Sequence, residues 1–228
     1  MKKIEIAPSI LSADFRILER EVKAAQDAGA DRIHCDVMDG RFVPNISFGP
    51  LVVEAVKKCV SIPLDVHIMI SDPVKYAADF CSAGADVLCF HAEALNNVNE
   101  IKTLLNDIRS KGARPGVAVN PDKSIDLFMS ELASIDQVVI MSVYAGFGGQ
   151  KFIVDTMEKV RAVRSAAVKQ NLDIDIEVDG GVNGETAELC AKAGANVLVA
   201  GSFVFGSGDY AGRINAVRES ANKAYIGD

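Results

Sequence analysis

A single-domain α/β fold, the (β/α)8 TIM barrel, is what this 228-residue sequence predicts, and three observations carry the prediction. Apolar runs of strand length recur eight times along the chain. Amphipathic stretches of helix length separate them. Three junctions also repeat one pattern: Ala28-Gly29-Ala30-Asp31, Ala83-Gly84-Ala85-Asp86 and Ala193-Gly194-Ala195-Asn196 each end a helical stretch and open an apolar run. The glycine stands where a helix C-terminus needs a left-handed residue.

The runs fall near residues 4–9, 32–38, 64–69, 87–91, 115–119, 137–142, 174–179 and 197–200. Pro8, Pro63 and Pro115 stand where strands begin or bend, outside the helical stretches, where a missing N–H is tolerated. Connections are short and free of low-complexity linkers, so one domain is expected over residues 1–228. The competing fold is a doubly wound sheet. Its dinucleotide-binding version needs G-x-G-x-x-G after the first strand, and here that place reads Ser9-Ile10-Leu11-Ser12-Ala13-Asp14.

At 49% hydrophobic and 24% charged, the chain has the composition of one globular core. Its five cysteines include no C-x-x-C pair, which suits buried thiols in a reducing compartment. The net charge of -7, with no basic run to offset it, argues against a nucleic-acid partner. Met1-Lys2-Lys3 leads into a strand with no signal-peptide core, and no later run has the apolar length of a membrane span. A soluble, cytoplasmic protein without a membrane partner is therefore expected.

Chemistry first shows in the second run. On a strand, His34, Asp36 and Met38 share one face while Ile33, Cys35 and Val37 share the other. An imidazole two residues from a carboxylate can converge on a divalent cation; the alternative is a polar strand end that reaches solvent. In a barrel the active site gathers at the C-terminal ends of the strands, and all three histidines of the chain fall there. His34, Asp36, His67 and Asp179 could supply two nitrogens and two carboxylates to one ion, and zinc, iron(II), manganese or cobalt would fit. His91, with Glu93, is read as a structural or supporting pair, because that set is complete without it.

Glycines make a second cluster, in Gly146-Phe147-Gly148-Gly149, Gly180-Gly181 and Gly201-Ser202. Loops after strands seven and eight are the usual phosphate site of such barrels, where backbone N–H groups approach the oxygens without any Lys or Arg. Met38, Met69 and Met141, also at strand ends, suggest a pliable apolar wall over a reacting carbon.

These motifs resemble the ribulose-phosphate 3-epimerase family along nearly the whole chain. The likeness rests on Ile6-Ala7-Pro8-Ser9-Ile10-Leu11-Ser12-Ala13-Asp14-Phe15, His34-Cys35-Asp36-Val37-Met38-Asp39-Gly40 with Phe42-Val43-Pro44-Asn45, and Leu64-Asp65-Val66-His67-Ile68-Met69. It continues through Gly146-Phe147-Gly148-Gly149-Gln150, Glu177-Val178-Asp179-Gly180-Gly181 and Ala200-Gly201-Ser202. The resemblance implies that His34, Asp36, His67 and Asp179 bind one divalent metal, zinc first among the candidates, and that Asp36 and Asp179 double as acid and base. It also implies that Ser9 meets the substrate and that the glycine loops hold its phosphate; His67 and the three methionines are further expected substrate contacts, and a homo-oligomer is the expected assembly. The expected reaction is interconversion of D-ribulose 5-phosphate and D-xylulose 5-phosphate through a metal-stabilised enediolate. A related ketose phosphate such as D-allulose 6-phosphate is the alternative substrate, and a non-catalytic sugar-phosphate-binding barrel the alternative class. One departure stands out: Tyr144-Ala145 replaces the family's usual Asn-Pro before the glycine loop. A phosphate-barrel decarboxylase would need a D-x-K-x-x-D run, whereas Val37 and Met38 follow Asp36.

Overall fold

The computed structural model describes residues 2–225, so Met1 and residues 226–228 of the expected domain lie outside the described residues. Eight strands alternate with helices. β1 (Glu5–Ala7), α1 (Leu18–Asp27), β2 (Ile33–Met38), α2 (Pro50–Cys59), β3 (Leu64–Met69), α3 (Pro73–Ser82), β4 (Val87–His91), α4 (Val98–Ser110) and β5 (Arg114–Val119) come first. β6 (Gln137–Met141), α5 (Met157–Lys169), β7 (Asp175–Asp179), α6 (Thr186–Ala193), β8 (Val197–Val199), α7 (Ser202–Phe205) and α8 (Tyr210–Ala224) follow. All strands pair in parallel, in the order β1-β8-β7-β6-β5-β4-β3-β2. A single bridge between Ser9 and His34, with the His34 N–H donating to the Pro8 carbonyl at 3.0 Å, brings the two edges together into a nearly closed barrel.

Strand alternation sorts the side chains. Ile33, Cys35 and Val37 of β2 and Leu64, Val66 and Ile68 of β3 join the large core between barrel and helices. The opposite faces of the same strands fill the barrel interior, so every residue of β2 and β3 is buried. α4 shows the matching helical period, burying Ile101, Leu104, Leu105 and Ile108 on one stripe.

The repeated junction does two jobs. Gly29, Gly84 and Gly194 have φ of +95°, +104° and +109°, which ends each helix at low cost. The Asp or Asn two residues later then secures the preceding strand: Asp31 accepts from Ile6 N at 2.9 Å, Asp86 from Leu64 N at 2.7 Å, and Asn196 from Ile176 N at 2.9 Å.

One crossover departs from the expected alternation. Between β5 and β6 stand two 3-10 helices, Ile125–Leu127 and Met129–Ser134, with no α-helix. Ser124 caps the first through Asp126 N at 3.1 Å, and this Ser/Asp-rich segment offers its backbone local partners that compete with a longer helix. The cysteines differ slightly too: all five are free, but only Cys35, Cys89 and Cys190 are buried.

Candidate active site

The cleft opens at the C-terminal ends of the strands, and Asp36, Asp179, Ser9, Met38, Met69 and Met141 line it together with the loops at 144–150, 180–182 and 201–202. Every glycine expected at the phosphate, with Phe147 and Ser202, is on that lining. His67 is absent from it. It lies fully buried, as does His34.

Side-chain atoms of His34, Asp36, His67 and Asp179 lie within 4.8 Å of one another. His34 Nε2 is 3.3 Å from Asp36 Oδ1 and 3.8 Å from Asp179 Oδ2, and His67 Nδ1 is 3.5 Å from each of the same two oxygens. Among the described residues neither of those nitrogens has a hydrogen-bond partner, although both are buried. Buried polar nitrogens without partners are costly, and two carboxylates aimed at the same point make a donor set that fits a divalent cation.

The charges agree with this fit. Burial opposes an imidazolium at His34, yet the Asp36 and Glu177 carboxyls outweigh it and raise the His34 pKa well above its ordinary value. Burial likewise opposes charge on Asp36, but His34 and His67 hold its carboxyl far below the usual range. The cluster therefore draws positive charge to its centre. Ser9 Oγ donates to Asp36 Oδ2 at 2.5 Å, which ties the carboxylate to the turn that follows β1.

Under the cluster lies a polar layer that sequence reasoning missed. Arg32, Asp65, Gln137 and Glu177 are all buried inside the barrel. Arg32 reaches Gln137 Oε1 at 2.6 Å and Asp65 Oδ2 at 3.3 Å, and Gln137 Nε2 donates to both Asp65 oxygens at 2.9 Å. Glu177 Oε1 is 3.4 Å from His34 Nδ1. Burial and the neighbouring Asp65 carboxylate push the Glu177 pKa well up, while hydrogen bonds from Glu177 and His34 outweigh burial at Asp65 and hold its carboxyl low. The signal was present: Asp65 and Glu177 each stand two residues before a proposed ligand, on the same strand face.

A second branch leads sideways. His67 Nε2 and His91 Nε2 are 2.9 Å apart, and His91 Nδ1 is 3.0 Å from Glu93 Oε1. Burial and the neighbouring His67 lower the His91 pKa, although Glu93 acts in the opposite sense. Asn120 donates its backbone N–H and side-chain amide to Glu93 Oε1 at 3.0 and 2.8 Å, and its own Oδ1 accepts from Ala145 N at 3.1 Å. The chain from His67 thus ends on the glycine loop, whose Gly146 carbonyl also accepts from Asn45 at 2.7 Å. No helix among the described residues is long and apolar enough to cross a membrane.

The model of the ribulose-phosphate 3 epimerase family matches residues 5–205. The ribulose-phosphate 3-epimerase of Bacillus subtilis is 49% identical over 218 residues, covering 95% of this chain and 99% of that protein. That of Synechocystis is 48% identical over 219 residues, covering 96% and 95%. Among solved structures, 3-keto-L-gulonate-6-phosphate decarboxylase from Vibrio cholerae superimposes with a TM-score of 0.72 over 99% of this chain and all of its own, at 14% identity, a likeness of fold alone.

Proposed function

The chain belongs to the ribulose-phosphate 3-epimerase family, and from that premise we propose that it interconverts D-ribulose 5-phosphate and D-xylulose 5-phosphate at the cleft described above, within one barrel domain over residues 1–228. The observation that carries this reading is the pair of carboxylates, Asp36 and Asp179, which both line the cleft and share the same two imidazoles.

Inverting a carbon beside a ketone requires removal of its proton, support for the resulting enediolate, and return of a proton to the opposite face. In our reading Asp36 and Asp179 serve the two faces, one as base while the other acts as acid. A positioned acid or base contributes typically 10²–10⁴-fold, roughly 3–5 kcal/mol. His34, Asp36, His67 and Asp179 would hold a divalent cation, zinc first, with iron, manganese or cobalt able to take the same donors. When bound, it supplies Lewis-acid polarisation of the carbonyl and a positive charge beside the developing enediolate. Ser9 keeps Asp36 oriented through its 2.5 Å hydrogen bond. Met38, Met69 and Met141 exclude water from the reacting carbon. Backbone N–H groups of Gly146–Gly149, Gly180-Gly181 and Gly201-Ser202 bind the phosphate, in keeping with the acidic total charge. The protein works in the cytoplasm as a homo-oligomer.

The test is conversion of ribulose 5-phosphate by purified protein, in parallel with allulose 6-phosphate, before and after exhaustive chelation. Turnover of the pentose that is lost on chelation and restored by metal is the expected result. Full activity with no metal bound, or preference for the hexose, would refute the metal or the substrate assignment respectively.

A further inference from the structure

His91 is the one histidine left outside the cation cluster, yet it is fully buried and both of its ring nitrogens are engaged. Its ring stacks on His67, with centroids 5.0 Å apart and an interplanar angle of 22°, and lies 4.8 Å from the ring of Phe42. Those contacts set the plane; proton accounting sets the direction. Glu93 Oε1 already accepts two N–H groups from Asn120, so it is an acceptor toward His91, and the proton of a neutral His91 sits on Nδ1. His91 Nε2 is then bare. The 2.9 Å contact between the two Nε2 atoms needs one proton, which must come from His67. With its proton on Nε2, His67 presents a lone pair on Nδ1, the atom 3.5 Å from both Asp36 and Asp179.

We propose that His91 is a positioning residue: the Glu93–His91 pair holds His67 in the tautomer and orientation whose Nδ1 is available to the cation. The opposite proton arrangement, with His91 Nε2 donating, would make His67 Nε2 an acceptor and put the proton on Nδ1, closing that nitrogen to a metal. Groups that orient a ligating imidazole through its other nitrogen typically change metal affinity 10–100-fold when removed. The proposal rests on His67 being a ligand.

The experiment is a zinc titration of the full chain against a competing chelator, for the wild type and for His91→Met, His91→Gln, Glu93→Gln and His67→Ala. At saturation His91→Met should still take one ion per chain but bind it 10–100-fold more weakly. His91→Gln, whose side-chain oxygen can accept from His67 Nε2–H, should recover most of that loss, and Glu93→Gln should weaken binding in the same direction as His91→Met. In zinc-loaded wild type with 15N-labelled histidine, His67 Nε2 and His91 Nδ1 should carry protons, and His67 Nε2 should couple to a bare His91 Nε2 across the hydrogen bond. That spectrum decides the matter even where a variant does not fold. Unchanged affinity in His91→Met, or a proton on His91 Nε2, overturns the inference alone. Failure of the wild type to bind zinc, or unchanged affinity in His67→Ala, overturns the ligand assignment and the inference together.

Discussion

Replacing Arg32 with methionine tests whether the polar layer beneath the cluster is a structural foundation. Arg32 is 3% exposed, and its guanidinium meets Glu5 Oε2 at 2.8 Å, Gln137 Oε1 at 2.6 Å, Asp65 Oδ2 at 3.3 Å and Asp175 Oδ2 at 3.4 Å. Methionine fills similar space but brings no charge. Glu5 and Asp175 keep other exits, Glu5 because it is partly exposed and Asp175 through Lys2 at 2.9 Å and Arg114 at 2.7 Å. Asp65 does not. It is fully buried, and after the substitution its charge is held only by neighbours inside the barrel, the Gln137 amide at 2.9 Å with the Glu177 and His34 side chains beside it. Removing one partner of a buried pair costs roughly 3–5 kcal/mol, and the Gln137 bonds place this case near the lower end, about 3 kcal/mol. In a chain of this length each kcal/mol is worth about 2–4 °C, so the midpoint should fall by roughly 6–12 °C. Denaturant unfolding under chelating conditions, where metal binding makes no contribution, reads the loss as a lower midpoint with unchanged slope. Arg32→Lys should recover less than half, because one ammonium cannot reach Glu5, Asp65 and Gln137 at once. A loss under about 1 kcal/mol would refute the reasoning.

Other consequences can be checked together. Gly180 has φ +116°, and a Cβ there would stand 2.4 Å from Val143 Cγ2; Gly180→Ala should lose roughly 2–5 kcal/mol of stability and raise KM, read by thermal melting and steady-state kinetics. The same geometry at Gly181, whose Cβ would lie 3.0 Å from Phe152 N, means that a side chain there disturbs the loop above β6 rather than filling the cleft directly. Tyr144→Asn with Ala145→Pro restores the family pattern but removes the Ala145 N–H that Asn120 accepts at 3.1 Å, so kcat and KM should change together in steady-state assays. Glu93 supplies a pH effect: burial opposes its charge, but the His91 hydrogen bond and the Asn120 N–H bring its pKa down from 4.5 to about 2. A lowered folded-state value means stability that is present above about pH 4.5 and lost as pH falls toward 2, at most about 3 kcal/mol. Glu93→Gln should flatten the stability-pH curve in that window; an unaltered slope would contradict the shift.

The alternation of side chains makes much of this site legible in the sequence. His34 with Asp36, and His67 with Met69, share strand faces because a strand has a period of two, and the barrel rule assigns those faces to one mouth. Cross-strand register is not legible in that way. His67 pairs with Cys89, which sets His91 one step nearer the barrel mouth than its neighbour on β3, and only that offset brings the two Nε2 atoms together. Arg32, Asp65, Gln137 and Glu177 come from four different parts of the chain, so their layer exists only once the barrel closes. The β5–β6 crossover departs from expectation because helix-length spacing says nothing about local Ser and Asp caps that compete with the helix.

The central claim, that Asp36 and Asp179 serve opposite faces of the substrate carbon, is tested most directly by deuterium exchange at C3 in heavy water with Asp36→Asn and Asp179→Asn. Both residues are proposed ligands, so each variant is assayed at measured, retained metal content. The account predicts that each variant stops epimerising but exchanges one epimer, and that the two variants exchange opposite epimers. A metal-retaining variant that epimerises at near the wild-type rate, or two variants that exchange the same epimer, would contradict it.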